Sequence, residues 1–372
     1  MRYYAAGEGS AHPIDRLVDA METALSVGLR ELCCRLGIAG RSFARSAENL
    51  KSAAQITLSE EVLRTVVESE GKAVLKASAE EQLELDWSAA ECRVTTPSGP
   101  EVSRMYVSAD GVMAPTTTEA EKQKRRATVI AKRQKMSAEQ RRRLLPLGAV
   151  KQGSDQRYKQ VYVTIVYDQA QEHRLVGVTR KDHRGLGKLL KREAARVRLR
   201  GAVERVGLVD GAVCLRKHLD ELPLELILLD FFHLSEHVNE ASNKTLGEKT
   251  EAGEKWVADV LHTLKHEGYE PFFQKLVDWR GGLRGGKRKV ADRLLNYVAE
   301  RQEMMAYAEC AKRGWDIGTG PMESMCGVTT DRIKGRGRRW DLDNAEAVMA
   351  LEGMYQSHLW DRYWGKALCN LN

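Results

Sequence analysis

Two aspartates, each followed by glycine, close short apolar runs. Met105–Ala109 leads into Asp110-Gly111, and Arg205–Val209 leads into Asp210-Gly211. A third apolar run, Leu224–Leu229, stops at Asp230. Short apolar runs bounded by turn residues, with a helical pattern between the second and third, predict buried parallel strands. In open α/β sheets, chemistry collects at the carboxyl ends of such strands. Carboxylates placed there, in a chain of net charge +7, point to metal-dependent chemistry on nucleic acid. Taken singly, Asp210 or Asp230 reads equally well as a turn or helix N-cap residue. The matching Asp-Gly pair upstream is what lifts Asp210 above that reading.

The elements that must position these residues follow a recognisable order. Residues 101–115 form a first strand ending at Asp110, and Lys159–Asp168 and His173–Thr179 are two more that can complete a meander. Leu186–Leu199 is an amphipathic, basic helix, followed by strand Arg205–Val209, a helix, and strand Leu224–Leu229. The expected fold class is therefore α/β: an RNase H-like core, a mixed five-stranded sheet with flanking helices, with an N-terminal helical domain and an all-helical insertion domain. In such a core the strand order is 3-2-1-4-5. Adjacent strands lie ~4.8 Å apart, so strand five is roughly 10 Å from strand one. Two carboxylates that share an ion at ~2.1 Å each need adjacent strands. Asp210 meets that condition with Asp110. Asp230 should instead cap the helix beginning at Phe231, or hold His233.

Residues 1–100 are expected to be helical, helix-turn-helix-like and then a connector. Leu29, Leu32, Leu36 and Ile38 have helical spacing, a turn falls at Gly37–Gly40, and Ser42–Leu50 reads as a second helix with Arg41, Arg45 and Lys51 on or near it. The alternative is an ordinary helical hairpin packed on the core. A third helix starts at Ser59, and residues 78–100 read as the connector. Residues 101–238 are the first part of the core, 239–315 the helical insertion, and 316–372 the returning part. The insertion shows helical patterns split by the glycine-rich, basic link 280–289.

Residues 1–100 hold 11 Lys and Arg against 15 Asp and Glu, which leaves a net +11 for residues 101–372. The larger part is thus suited to a polyanion. Residues 121–145 hold ten Lys and Arg, among them Lys124, Arg125 and Arg126, directly after the first strand. A second basic run, Arg332, Lys334, Arg336, Arg338 and Arg339, is spaced by glycines that suit it to gripping phosphates. A solvated helix or loop is the alternative for the first run. Glu323 falls in the first turn of a helix over Met322–Ile333, where a glutamate commonly serves only the positive helix end. The seven cysteines form no CxxC pair, so neither a disulfide framework nor a cysteine-based zinc ribbon is expected. No apolar run reaches 18 residues and the N-terminus has no apolar core, so a cytoplasmic protein without a membrane span is expected.

The segments SADGVMAP (108–115), VDGA (209–212), LDFFHLSEHV (229–238) and GTGPMES with TTDRIKGRGRRW (318–340) together resemble bacterial insertion-sequence transposases. These are related to the Mutator-like group and have an RNase H-like DDE catalytic domain. The resemblance implies that Asp110, Asp210 and Glu323 are the catalytic, metal-binding triad. It further implies that Asp230-x-x-His233 is the supporting Cys/Asp-x-x-His motif and that 239–315 is the helical insertion. Relatives carry cysteine-rich, zinc-ribbon-like sequence ending near a motif similar to RYYAAGEGSAHPID (2–15). Here the cysteines of that motif are replaced by Ala or Gly, which suggests a shortened N-terminus and puts zinc binding there in doubt.

The activity so implied is DNA cleavage and strand transfer, both in-line displacements at phosphorus. Three carboxylates would serve by holding two Mg²⁺ or Mn²⁺ ions ~3.5–4 Å apart. The implied partners are transposon-end inverted repeats and target DNA, bound by a homo-oligomer. A DNA-binding remnant or regulator without activity, and an RNase H-like nuclease without strand transfer, are the alternative functions. His233 and His237, four apart on a helix, and Trp256, Trp279 and Trp315 are read as structural rather than as metal ligands or base-stacking platforms.

Overall fold

Strand β4 (Glu101–Pro115) organises the sheet, and its residues Ser103–Ala109 are all buried, as a strand covered on both faces requires. In this computed structural model, residues 3–5, 9–11 and 25–369 are described. The first two of these segments are the short antiparallel pair β1 (Tyr3–Ala5) and β2 (Gly9–Ala11). The rest of the RYYAAGEGSAHPID motif, and the start of the expected helical region up to residue 24, lie outside the described residues.

The main sheet is mixed and six-stranded. β3 (Arg93–Thr95) pairs antiparallel with the start of β4, and β5 (Tyr158–Tyr167) runs antiparallel along its last ten residues, from Tyr106↔Tyr167 to Pro115↔Tyr158. β6 (Arg174–Thr179) lies antiparallel beyond β5. On the other side β7 (Glu204–Val209) runs parallel to β4, and β8 (Leu226–Leu229) parallel to β7. The path is β6-β5-β4-β7-β8, which in chain order of these five strands is 3-2-1-4-5.

Two boundaries differ from the sequence reading. Asp110 does not end its strand: β4 continues to Pro115 because β5 supplies antiparallel partners the whole way. Asp110 sits instead just past the point where β7 leaves β4, at Ser108↔Leu208. The expected connector also contains strand β3, too short and too polar to show a pattern.

The N-terminal helices α1 (Val27–Ala39), α2 (Phe43–Ala54) and α3 (Glu60–Ala79) each begin at a serine, Ser26, Ser42 and Ser59, whose hydroxyl accepts an N–H of the first turn. Arg41, Arg45 and Lys51 are exposed. The basic run after β4 folds as α4 (Glu119–Gln134) and α5 (Ala138–Arg142), neither with a buried residue. A full capping box, Thr118 with Glu121, fixes the start of α4. α6 (His183–Arg196) packs on β5 and β6, and α7 (Val213–Leu219) on β4 and β7.

From α8 (Phe231–Leu246) onward the chain is helical through α9 (Glu251–His266), α10 (Tyr269–Gly281), α11 (Gly285–Ala299) and α12 (Tyr307–Arg313). The chain then returns to the sheet as α13 (Gly320–Asp331), which packs on β4 and β5, and α14 (Leu342–Gln356), which packs on β6 and α3. Gly71 of α3 permits that last contact, since a Cβ there would lie 2.3 Å from the Ala347 carbonyl oxygen. α15 (Trp360–Cys369) ends the described chain. No described helix is long and apolar enough to cross a membrane.

Candidate active site

Asp110 and Asp210 lie on neighbouring parallel strands, each two residues beyond the last paired residues Ser108 and Leu208. Asp110 is half-buried; its Oδ1 accepts the Gly111 N–H at 2.6 Å and its Oδ2 the Cys326 thiol at 3.6 Å. Burial raises the Asp110 carboxyl above the ordinary carboxylate range, the Gly111 N–H opposes this, and the Asp210 charge adds to it. Asp210 Oδ1 accepts the Ala212 N–H at 3.0 Å across a tight turn. Gly211 has φ +92°, which favours glycine, whereas Gly111 is an ordinary strand residue beside the Gln160 side chain.

Glu323 is exposed in the first turn of α13, after Pro321. One turn on, Cys326 links the two: burial, then the charge of Asp110 and more weakly that of Glu323, keeps its thiol protonated well above the usual range. Among the described residues, the ligand atoms of Asp110, Asp210 and Glu323 are not gathered within 4.8 Å of one another. Three like charges with nothing between them are expected to stand apart.

Asp230 is buried and fully engaged. Its Oδ1 accepts the Phe232 and His233 N–H groups at 2.6 and 3.1 Å, capping α8. Its Oδ2 accepts the Thr319 N–H at 2.8 Å and the Thr319 hydroxyl. It therefore ties β8 to the start of α13 and so sets where Glu323 arrives. A second buried anchor, at the opposite end of the sheet, holds the segment that leads into α13. Arg104 donates to Glu204 at 2.6 Å and to the carbonyls of Gly314 and Arg313 at 2.8 and 2.9 Å. Trp315 donates to the same Glu204 carboxylate at 2.8 Å, a packed role and not a stacking platform.

His233 is partly exposed, with Nδ1 3.5 Å from Glu236, and its ring lies edge-on to His237 at 5.0 Å. His237 in turn packs on Tyr297 at 4.1 Å. Burial lowers the His237 pKa, and His233 lowers it further. Trp256 and Trp279 pack on each other, centroids 4.4 Å apart.

Sequence reasoning missed Tyr297 and Arg301, which the end of α11 brings to the Asp210-Gly211 turn. A Cβ on Gly211 would lie 3.1 Å from the Tyr297 hydroxyl and 3.2 Å from Arg301 Nε. Both of these atoms are buried and have no hydrogen-bond partner, although Arg301 Nη2 does donate to the Gly211 carbonyl at 3.3 Å. Nothing in their local pattern signals a contact made some 90 residues away in the chain. Lys334 was grouped with the phosphate-gripping run, yet its charge acts on Asp110.

The two basic runs converge beyond Asp110. Trp340 N–H donates to the Pro115 carbonyl and Thr117 N–H to the Trp340 carbonyl, laying the second run beside the end of β4. Lys122 of α4 reaches Asp341 at 2.6 Å. Lys122 and Arg125 share a pocket with Arg338 and Arg339. Lys124, Arg125, Lys334 and Arg336 are exposed, and Arg126 donates to the Gly148 carbonyl. Arg332 is different from the surface cation expected: it is buried, donates to the Gly37 carbonyl at 2.8 Å and stacks over Phe43 at 4.3 Å. Burial lowers its pKa to about 10, with Arg338 adding to the effect. Arg338 likewise donates to the carbonyls of Arg332 and Arg41, so both residues hold the run in place. The chain matches no protein-family model and no curated protein.

Proposed function

We propose that the protein is an insertion-sequence transposase with an RNase H-like DDE core, cutting DNA strands and joining them to a target. The observation that supports this most is the juxtaposition of Asp110 and Asp210 at one level of adjacent parallel strands, with α13 carrying Glu323 across β4. Asp230, by contrast, has all its acceptor capacity taken up by α8 and Thr319. The donor set suits hard divalent ions, because the three carboxylates offer oxygen and the nearby Cys326 remains a thiol. Two Mg²⁺ or Mn²⁺ ions on Asp110, Asp210 and Glu323 would supply charge neutralisation at the reacting phosphate and at the attacking and leaving oxygens. Gly111 and Ala212 hold one oxygen of each aspartate, which fixes the direction of the other. Lys334 adds a positive charge near Asp110, and Arg301 donates to the Gly211 carbonyl and so holds the turn that carries Asp210. The converging basic runs carry the flanking duplex.

A gel assay with DNA bearing the terminal repeats that flank the gene, in Mg²⁺, tests this reading. Joined products are expected. Cuts alone would make the protein a nuclease, and a shift alone a DNA-binding regulator. Arg301→Gln is expected to slow cutting roughly tenfold or more, because it removes the donor that holds the Gly211 carbonyl beside Asp210 and a small misplacement of a reacting group is costly. Cutting at the wild-type rate would confine Arg301 to packing.

Replacing Lys334, Arg336 and Arg339 together is expected to weaken binding to all DNA sequences alike. The salt dependence should flatten by about one unit of slope per lost phosphate contact. An unchanged slope in a salt titration would show that these cations are merely solvated. Arg332→Gln should instead act on stability, since that side chain is buried.

Without metal, the raised Asp110 pKa has a stability consequence of known sign. The folded protein binds this proton more tightly than the unfolded chain, so the stabilising contribution is full below the ordinary value of 3.8 and is lost as pH rises through the raised one. At neutral pH the ionised Asp110 therefore weakens the fold, and Mg²⁺ is expected to raise the melting temperature. The gain should vanish near pH 4 and in Asp110→Asn. A gain independent of pH and of Asp110 would contradict this.

A further inference from the structure

A cluster unrelated to the carboxylate site lies at the other end of the sheet. Cys92 precedes β3, Asp168 follows β5, and His173 precedes β6. Their ligand atoms all lie within 4.8 Å of one another. Asp110 pairs with Val163, five residues before Asp168 on β5 and its continuation, so the two places are roughly 17 Å apart at ~3.4 Å per residue.

We propose that Cys92, Asp168 and His173 form a mononuclear zinc site that clips the connector to the β5–β6 hairpin. One thiol sulfur, one imidazole nitrogen and one carboxylate oxygen make a borderline-soft set, which favours zinc over Mg²⁺ or Ca²⁺. The backbone already holds the three in place. The Cys92 carbonyl accepts the Arg104 N–H at 3.0 Å, and the Asp168 N–H donates to the His173 carbonyl at 3.0 Å. Asp168 Oδ1 accepts the His173 N–H at 3.3 Å, which directs Oδ2 to the His173 ring, 2.8 Å from Nδ1. Cys92 and Asp168 are 2% and 7% exposed, whereas the His173 side chain is 35% exposed and leaves a way in for the ion and for water as fourth ligand. The Trp87 ring, 5.3 Å from that of His173, covers one side. Glu91 is held by Ser88 N–H and hydroxyl at 2.6 and 2.8 Å, so it contributes charge near Cys92 rather than a ligand.

Metal-free, burial followed by the Asp168 and Glu91 charges pushes the Cys92 thiol up to about 12, and the sulfur keeps its proton. Binding replaces that proton: Zn²⁺ takes the thiolate and the Asp168 oxygen, the thiol proton goes to solvent, and the imidazole is neutral at the coordinating nitrogen. An ion joining residue 92 to residue 168 closes a long loop, which restrains the unfolded chain. The cysteine pattern of the sequence does not reveal such a site, because its other two ligands are not cysteines and come from a hairpin far along the chain.

The full-length protein, stripped of metal and dialysed against Zn²⁺ with excess Mg²⁺ to fill the carboxylate site, is expected to hold about one zinc per chain. With Co²⁺ in place of Zn²⁺, the wild type should show a thiolate-to-metal charge-transfer band, and this readout needs no variant. Both signals should be lost in Cys92→Ser and fall steeply in His173→Gln, and both should survive in Cys326→Ser. Zinc far below one per chain, the absence of a thiolate band in the wild type, or a band lost in Cys326→Ser but kept in Cys92→Ser would each overturn the site. In those cases the cluster is a hydrogen-bonded turn only. None of these outcomes depends on whether the protein cuts DNA.

Discussion

Asp110→Asn protein is expected to bind DNA as the wild type does and to cut it slower by roughly a thousandfold or more. The substitution keeps the side-chain volume and leaves an oxygen for the Gly111 N–H, so the fold is preserved. On the proposed function, what it removes is a charged ligand from a site where Asp210 and Glu323 alone would hold metal poorly. It also removes a charge that burial desolvates and Asp210 repels in the metal-free protein. The variant should therefore be no less stable than the wild type while losing activity. Glu323→Gln should lose cutting to a similar degree, because Glu323 is exposed and makes no contribution to the core. Single-turnover cutting rates and filter-binding affinities measured side by side check this. Equal loss of binding and cutting in either variant would count against the triad.

Arg104→Met is expected to lower stability by about 3–5 kcal/mol. Arg104 is 1% exposed, and its partner Glu204 is 5% exposed. Removing the guanidinium leaves a buried carboxylate with only Trp315 and the more exposed Arg313, leaves the Arg313 carbonyl without this donor, and leaves the Gly314 carbonyl with the Gln169 amide alone. Those carbonyls belong to the segment that feeds α13, so the position of Glu323 should suffer along with the fold. The double variant Arg104→Met/Glu204→Leu should recover part of the loss, since an apolar pair avoids the stranded charge. Urea unfolding of the two variants checks both statements. A loss under about 1 kcal/mol in Arg104→Met would mean that water reaches Glu204.

The parts of the fold legible in the sequence are those set by local pattern. Alternation and apolar runs located β5, β6, β7 and β8 to within a residue or two, and serines ahead of apolar stripes marked the starts of α2 and α3. The span 101–115 of β4 was legible, but the place of Asp110 inside it was not, because Asp-Gly is a turn signal and only the pairing with β5 overrides it. The exposure of Arg332 was misjudged for a similar reason. Its neighbours in the chain are surface cations, while Phe43 and the Gly37 carbonyl, which bury it, come from nearly 300 residues earlier. Within the candidate site, Asp110 and Asp210 were legible as strand-associated Asp-Gly pairs, and Glu323 only through the resemblance of its motif. Thr319, Tyr297, Arg301 and Arg104 act through long-range contacts, and no local spacing encodes them.

The most direct test of the account is a metal-specificity switch at the cut itself. DNA carrying the flanking terminal repeats is prepared with sulfur in place of the bridging 3′ oxygen at the cleavage position. If ions on Asp110, Asp210 and Glu323 stabilise the leaving oxygen, cutting in Mg²⁺ should fall by roughly a hundredfold, because a hard ion binds sulfur poorly, and Mn²⁺ should restore most of it. Cutting of the sulfur-substituted strand at equal rates in Mg²⁺ and Mn²⁺, or persisting in a chelator, would contradict the claim that these carboxylates hold the ions that drive strand chemistry.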